Sequence, residues 1–213
     1  MTNPIKQLPP LILASASIYR QELLSRLHLP FTVQTSDFDE REYESILVDY
    51  SPIEKAKLLA YGKLRAVKEK MKKENDINDD SVNNNVIIAS DQYAYVVATK
   101  NPLHKPETIE NNKKQLQELS GQEVCFETSV VVSYQGQLWT DVVPTFITFR
   151  QLDEEKINRY VSLEPALDCT GGAKLEGLGI SLIKKFQSED PTAIIGLPLI
   201  SLSFILRQIG FPV

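Results

Sequence analysis

Leu11-Ile12-Leu13-Ala14-Ser15-Ala16-Ser17-Ile18-Tyr19-Arg20-Gln21-Glu22-Leu23-Leu24 contains the fold in outline. Leu11 to Ala14 is a short apolar run of the kind a buried strand uses. Ser15-Ala16-Ser17 follows as a turn. Tyr19, Leu23, Leu24 and Leu27 then recur at helical spacing until Pro30 stops them. A strand feeding a helix through small residues leaves free N–H groups and the positive end of the helix dipole at the junction, which favours an anion. Ser15 and Ser17 can donate to that anion, and Arg20 on the first turn can add a bidentate phosphate contact. The same residues equally describe an ordinary capped helix with a solvated arginine.

Outward from this unit, helices and strands alternate. Ser51-Pro52 is a helix start, and Ile53, Ala56, Ala60, Leu64, Val67 and Met71 repeat at spacings of three and four. Lys72 to Asn85 loses that pattern to Lys, Glu, Asn and Asp, and is expected to be a solvated loop or a flexible insertion. Val86 to Ala89 reads as a second buried strand ending in Ser90-Asp91-Gln92, with β-prone residues from Tyr93 to Ala98. Thr108 caps a helix to Leu119. Val124–Tyr134 and Gln137–Phe149 form a hairpin about Gln135-Gly136, and Asp153 caps a short helix. Gly179 to Phe186 reads as a strand, and Leu197-Pro198 opens a last helix whose apolar face is Leu199, Leu202, Ile205, Leu206 and Ile209. The alternation gives an α/β class, and residues 1–213 read as one domain.

Composition narrows the function. The 213 residues are 42% hydrophobic and 24% charged, an ordinary globular balance. The net charge of −5 disfavours a nucleic-acid polymer or a membrane surface as partner, since phosphate-rich partners reward a basic face. Two cysteines exclude a disulfide scaffold and a four-thiolate zinc site, and two histidines disfavour a His-rich metal site. Residues 1–10 lack an apolar core of signal-peptide length, and the stretch 193–206 is too broken to span a bilayer. A soluble, cytoplasmic protein is expected.

The candidate chemistry is acidic and cationic. Asp91 follows four apolar residues, and ligands of open α/β sheets sit at the carboxyl ends of strands. Glu40, in the turn Ser36-Asp37-Phe38-Asp39-Glu40, could join Asp91 in holding a divalent metal, because Mg²⁺ prefers one or two carboxylates completed by phosphate oxygens and water. Lys63 lies at the rim of its helix's apolar stripe, where an ammonium can snorkel or point into a cleft. Lys105 is held between His104 and Pro106. The Ser, Cys and His residues form no convincing triad. The chain has neither the Gly-x-Ser-x-Gly elbow nor the glycine-rich phosphate and dinucleotide fingerprints.

Together these residues resemble the Maf family of nucleotide pyrophosphatases, from Leu11 to Gly210. The Ser-x-Ser-x-x-Arg start, Asp39-Glu40, Leu59-Ala60-Tyr61-Gly62-Lys63, Ser90-Asp91-Gln92, His104-Lys105-Pro106, Leu119-Ser120-Gly121 and Ile195-Gly196-Leu197-Pro198 follow the family's order and spacing. The resemblance implies an inosine triphosphate pyrophosphatase-like fold: an elongated mixed sheet with flanking helices, and two lobes around a deep cleft. It implies hydrolysis of a nucleoside triphosphate to the monophosphate and pyrophosphate, with a divalent metal (Mg²⁺, Mn²⁺ or Co²⁺) and a homodimer as an available assembly. The family's acids carry onto Asp91 and Glu40, which would orient water and hold the metal. Its lysines carry onto Lys63 and Lys105, which with Arg20 would balance the triphosphate.

Tyr19, Gln92 and Glu176 resemble the branch of the family that hydrolyses 7-methyl-GTP, rather than the dTTP and UTP branch with Arg, Thr and Gln at those places. N7-methylation leaves a positive charge on the purine, on which an aromatic face can stack. The Glu176 carboxylate can accept from the guanine N1–H and N2–H₂ edge. Pyrimidine or broad non-canonical triphosphate hydrolysis is the alternative activity. A non-catalytic nucleotide-binding regulator of septum formation is the alternative of another class. Two positions depart from the family pattern. Ile18 replaces its Pro, and His104 replaces a Gly, a costly change if that position needs a positive φ.

Overall fold

A computed structural model describes residues 8–35, 38–39, 43, 46–76 and 78–213. Among them, seven strands form one mixed sheet: β1 (Leu11–Leu13), β2 (Thr32–Val33), β3 (Val86–Val96), β4 (Pro102–Leu103), β5 (Glu123–Tyr134), β6 (Gln137–Phe149) and β7 (Ile183–Ser188). The order is β2-β1-β3-β5-β6-β7, with β4 also on β3. β1 runs parallel to β2 and β3, and the other pairs are antiparallel. The flanking helices are α1 (Ile18–Ser25), α2 (Pro52–Asn75), α3 (Asp79–Asn83), α4 (Ile109–Leu119), α5 (Glu154–Leu163) and α6 (Leu199–Ile209). The expected α/β class, mixed sheet and flanking helices are therefore present.

Strand periodicity sorts the core. Val86 and Ile88 face α1 and α6, joining Leu11, Leu13, Leu23, Leu24, Leu202 and Leu206. Ile87 and Ala89 face the opposite way, onto Ala60, Leu64, Val67 and Met71 of α2. Helix α2 starts where Ser51 predicts. The Ser51 hydroxyl accepts the Glu54 N–H at 3.3 Å, and the Glu54 carboxylate accepts the Ser51 N–H at 2.9 Å, a reciprocal cap worth about 1 kcal/mol. The β5–β6 hairpin turns on Gln135 and Gly136, at φ 48° and 75°, the left-handed pair a two-residue turn needs.

Three expectations need correction. The segment 72–85 is not a loop: α2 continues through Asn75, stops at a left-handed Asp76, and α3 follows after an Asn78 cap on Ser81. Lys72 ties the two helices by pairing with Glu69 and Asp79. Val82 is fully buried against α2, which stabilises the docking by about 1.5–3 kcal/mol. One apolar residue carries that docking, too few for periodicity to reveal; Ile77 lies outside the described residues. In the second case, β3 runs unbroken to Val96, so Asp91 sits inside a strand and not at its end. In the third, Leu178–Leu182 is a 3₁₀ turn and β7 starts only at Ile183.

The edge of β3 explains why Asp91 is nonetheless at an opening. Val86 to Ile88 pair with β1, and Ala94 and Tyr95 pair with β4. Beyond the Ala14 N–H bond to the Ile88 carbonyl, β1 turns away into α1. Asp91 and Gln92 lie where the two neighbours have parted, the kind of place where a sheet admits a ligand. No helix among the described residues is long and apolar enough to cross a membrane.

Candidate active site

Asp91 points to the α2 side of β3 by strand alternation, and α2 presents Lys63 there. The Lys63 ammonium lies 2.9 Å from Asp91 Oδ2. Through the parted edge, Arg20 of α1 approaches from the other side, its Nη2 3.6 Å from Asp91 Oδ1. Oδ1 also accepts the Gln92 N–H at 2.9 Å. Asp91 is 4% exposed. Oδ2 is buried, and among the described residues it faces only the Lys63 ammonium. A hard cation taking one carboxylate oxygen, with phosphate oxygens and water completing its shell, fits that donor. No cluster of three or more His, Cys, Asp or Glu gathers for a metal among the described residues, and Glu40 lies outside them.

Arg20 is fixed by its surroundings. Its Nε donates to the Gly196 carbonyl at 2.9 Å and its Nη1 to Ser15 Oγ at 3.4 Å. Ser17 caps α1, its hydroxyl accepting the Arg20 N–H at 3.4 Å. Ile18 therefore opens a well-formed helix without the family Pro, because the cap supplies what the fixed φ would have. Gly196 has φ +117°, and a Cβ there would come 3.2 Å from Arg20 Nε. Ser90 Oγ lies 2.7 Å from the same Gly196 carbonyl and secures the loop from the strand side.

Arg20, Lys63 and Asp91 line a cavity of about 140 Å³ together with Ser17, Tyr19, Gln92, Lys105 and Glu176. The structure thus gathers eight of the ten residues singled out from sequence. Ser15 is not among the lining residues; it is buried and acts on Arg20. Gln92 lines the wall, but its amide nitrogen donates to Thr128 Oγ1 and reaches the Ala193 and Ile194 carbonyls at 2.9, 3.2 and 3.3 Å. It therefore also holds the loop that carries Gly196. Lys105 lines this cavity and a neighbouring one of about 360 Å³, which Phe38, Asp39 and His104 also border. His104 is absent from the positive-φ residues, so the family Gly is not needed there for backbone reasons.

Sequence reading missed part of the wall. Phe126, Ile147 and Phe149, from β5 and β6, are apolar lining, indistinguishable in sequence from core. Asp168 also lines the cavity, and the Tyr19 hydroxyl donates to its Oδ2 at 3.1 Å. Lys174 lies 3.3 Å from Asp168 Oδ1 and 5.6 Å from the centre of the Tyr19 ring. Its ammonium is held above the usual lysine range, chiefly by the Tyr19 hydroxyl, against burial and with help from Asp168. Burial acts to raise the Asp168 carboxyl, but its own backbone N–H, Lys174 and Tyr19 outweigh it and hold the group below the usual range. The only advance signal was position: Asp168 directly precedes Cys169, the start of the glycine-flanked stretch.

That stretch is anchored from behind. Asn112 of α4, fully buried, donates to the Gly172 carbonyl at 2.8 Å and accepts the Ala166 N–H at 3.3 Å. The Tyr160 hydroxyl accepts the Lys174 N–H at 2.9 Å, and Glu164 accepts the Leu178 N–H at 2.7 Å. Gly171 and Gly172 take φ values of +81° and +67° to make the turn. Burial pushes the Cys169 thiol up to about 12, with the Asp168 charge adding to it, so it is no nucleophile here.

Relatives agree with this architecture. Residues 10–209 match the family described as Maf-like protein. A 7-methyl-GTP pyrophosphatase of Pseudomonas putida is 42% identical over 203 residues, covering 94% of this chain and 97% of that protein. The protein of the same name from Nitrosococcus oceani is 40% identical over 215 residues, covering all of both chains. One from Idiomarina loihiensis is 42% identical over 203 residues, 94% of this chain and 95% of that protein. With the match running almost from end to end, the chain belongs to the Maf family.

Proposed function

We propose that the protein hydrolyses 7-methyl-GTP between its α- and β-phosphates, giving 7-methyl-GMP and pyrophosphate and so clearing a modified nucleotide. The observation that carries this is Asp91 set between Lys63 and Arg20 in a cavity that Tyr19 and Glu176 also line. The names of the relatives support the same substrate. Arg20, Lys63 and Lys105 neutralise phosphate oxygens, and preorganised charge of this kind does most of the catalytic work in phosphoryl chemistry. Asp91 positions the attacking water and accepts its proton. Tyr19 stacks on the base, and Glu176 accepts from its N1–H and N2–H₂ edge.

A divalent cation would be held by Asp91, with Glu40 as the partner carried over from the family resemblance. When bound, it supplies charge neutralisation on the phosphates and a more acidic water. Action on a cytoplasmic nucleotide pool and assembly as a homodimer belong to the same proposal; light scattering of the purified chain tests the second. Pyrophosphate release from a panel of 7-methyl-GTP, GTP, UTP, dTTP, CTP and ITP tests the substrate. A marked preference for 7-methyl-GTP is expected. Preference for UTP or dTTP would overturn the base assignment. Absence of release from every nucleotide would put nucleotide binding without hydrolysis in its place.

A further inference from the structure

Two charge groups meet at the cavity. Lys63 and Arg20 pair with Asp91, while Asp168 is held by the Tyr19 hydroxyl and pairs with Lys174; Lys105 and Glu176 also line the cavity. A substrate with an anionic chain and a cationic base matches that layout. Stacking on Tyr19 does not alone account for reading the positive charge, because the Lys174 ammonium already lies 5.6 Å from the ring centre. Lys174 itself is not among the lining residues, whereas Asp168 is.

We propose that Asp168 is the residue that discriminates a cationic, N7-alkylated purine from a neutral one, and that Lys174 is its resident counter-ion until the base arrives. This rests on the 7-methyl-GTP reading. Three observations converge on it. Asp168 holds Tyr19 through the hydroxyl, so the carboxylate stays beside the ring on which the base would stack. Its other oxygen faces Lys174 at 3.3 Å, so the free protein keeps a cation next to that carboxylate. The loop behind both residues is fixed by Asn112 and Tyr160, which keeps the carboxylate in place when the ammonium yields. The positive charge of the base then takes the place of an internal cation, and a neutral guanine has no charge with which to do so. Asp168 is thus a specificity determinant; the phosphate chemistry does not pass through it.

The test is equilibrium binding of 7-methylguanosine monophosphate and of GMP, by calorimetry at mildly acidic pH where the methylated base keeps its positive charge. Wild type, Asp168→Asn and Lys174→Met are compared, with thermal midpoints as a fold control. Asp168 has 58% side-chain exposure, so one charge pair should be worth about a two- to fivefold preference. Asp168→Asn is expected to remove that preference while GMP binds within about twofold of wild type. Lys174→Met is expected to bind the methylated probe more tightly and GMP unchanged. An unchanged preference in Asp168→Asn, or equal weakening of both probes, overturns the assignment; a lower preference in Lys174→Met overturns the counter-ion role. Pyrophosphate release by wild type separates the two levels. A preference in binding without release leaves Asp168 standing and removes hydrolysis, whereas release without any preference between the probes removes the charge reading and Asp168 with it.

Discussion

Replacing Asp91 by Asn should separate catalysis, binding and stability in three different directions. The Lys63–Asp91 pair is 2.9 Å long, with side chains 12% and 5% exposed. At an effective dielectric of about 20, the bare attraction is roughly 6 kcal/mol. Breaking a buried pair by removing one partner costs about 3–5 kcal/mol. Here both cations line a cavity and can hydrate through it, and Asn keeps the shape and a carbonyl, so about 2 kcal/mol is expected. For a chain of this size that lowers the thermal midpoint by about 4–8 °C. Turnover should fall at least about a hundredfold, the lower range for loss of a general base. Binding should move the other way. With divalent cations removed, an α,β-methylene triphosphate analogue should bind about tenfold more tightly, because one carboxylate no longer repels the phosphates. The same analogue should restore the lost thermal midpoint by supplying the missing counter-charge. Pyrophosphate release, calorimetry and a thermal melt measure the three quantities. Turnover within about tenfold of wild type would remove Asp91 from the chemistry. A parallel fall in turnover, affinity and midpoint would reduce Asp91 to a structural residue.

Other expectations follow from the surroundings of the site. Gly196→Ala sets a Cβ at φ +117° and 3.2 Å from Arg20 Nε, so turnover should drop about tenfold and the protein should lose more than about 1 kcal/mol in a denaturant titration. Asn112→Ala leaves the Gly172 carbonyl and the Ala166 N–H unmatched, a cost of about 2–3 kcal/mol, and KM should rise more than kcat falls because the base-side loop loosens. Burial pushes the Cys125 and Cys169 thiols from an ordinary 9.0 up to about 12. The folded state thus holds these protons more tightly than the unfolded chain does. Their stabilising contribution is complete below pH 9 and is lost as pH rises from 9 towards 12, so the denaturant midpoint should fall over that window, and both thiols should react slowly with a thiol reagent at about pH 8.

Much of this was legible in the chain because local chemistry and tertiary structure agree. Ser51, Thr108 and Asp153 each cap the helix they announce, and Gln135-Gly136 makes the predicted turn. Patterns fail where a single residue carries the fold. Val82 is the one buried residue of α3, inside a segment too polar to read as helix. Asp91 was recognisable as a candidate but not as a residue inside a strand, since the opening beside it is made by β1 and β4 leaving opposite ends of the same edge. Ser15, singled out as an anion contact, lies outside the cavity lining and accepts from Arg20. Asp168 and Lys174 lie close together in sequence and meet where Asn112 and Tyr160, both earlier in the chain, hold the stretch between them.

The most direct test is product analysis of 7-methyl-GTP incubated with the wild-type chain and Mg²⁺. Cleavage between the α- and β-phosphates predicts 7-methyl-GMP and pyrophosphate in equal amounts from the first turnover onward. Formation of 7-methyl-GDP with inorganic phosphate, or recovery of intact 7-methyl-GTP from a well-folded sample, would contradict it.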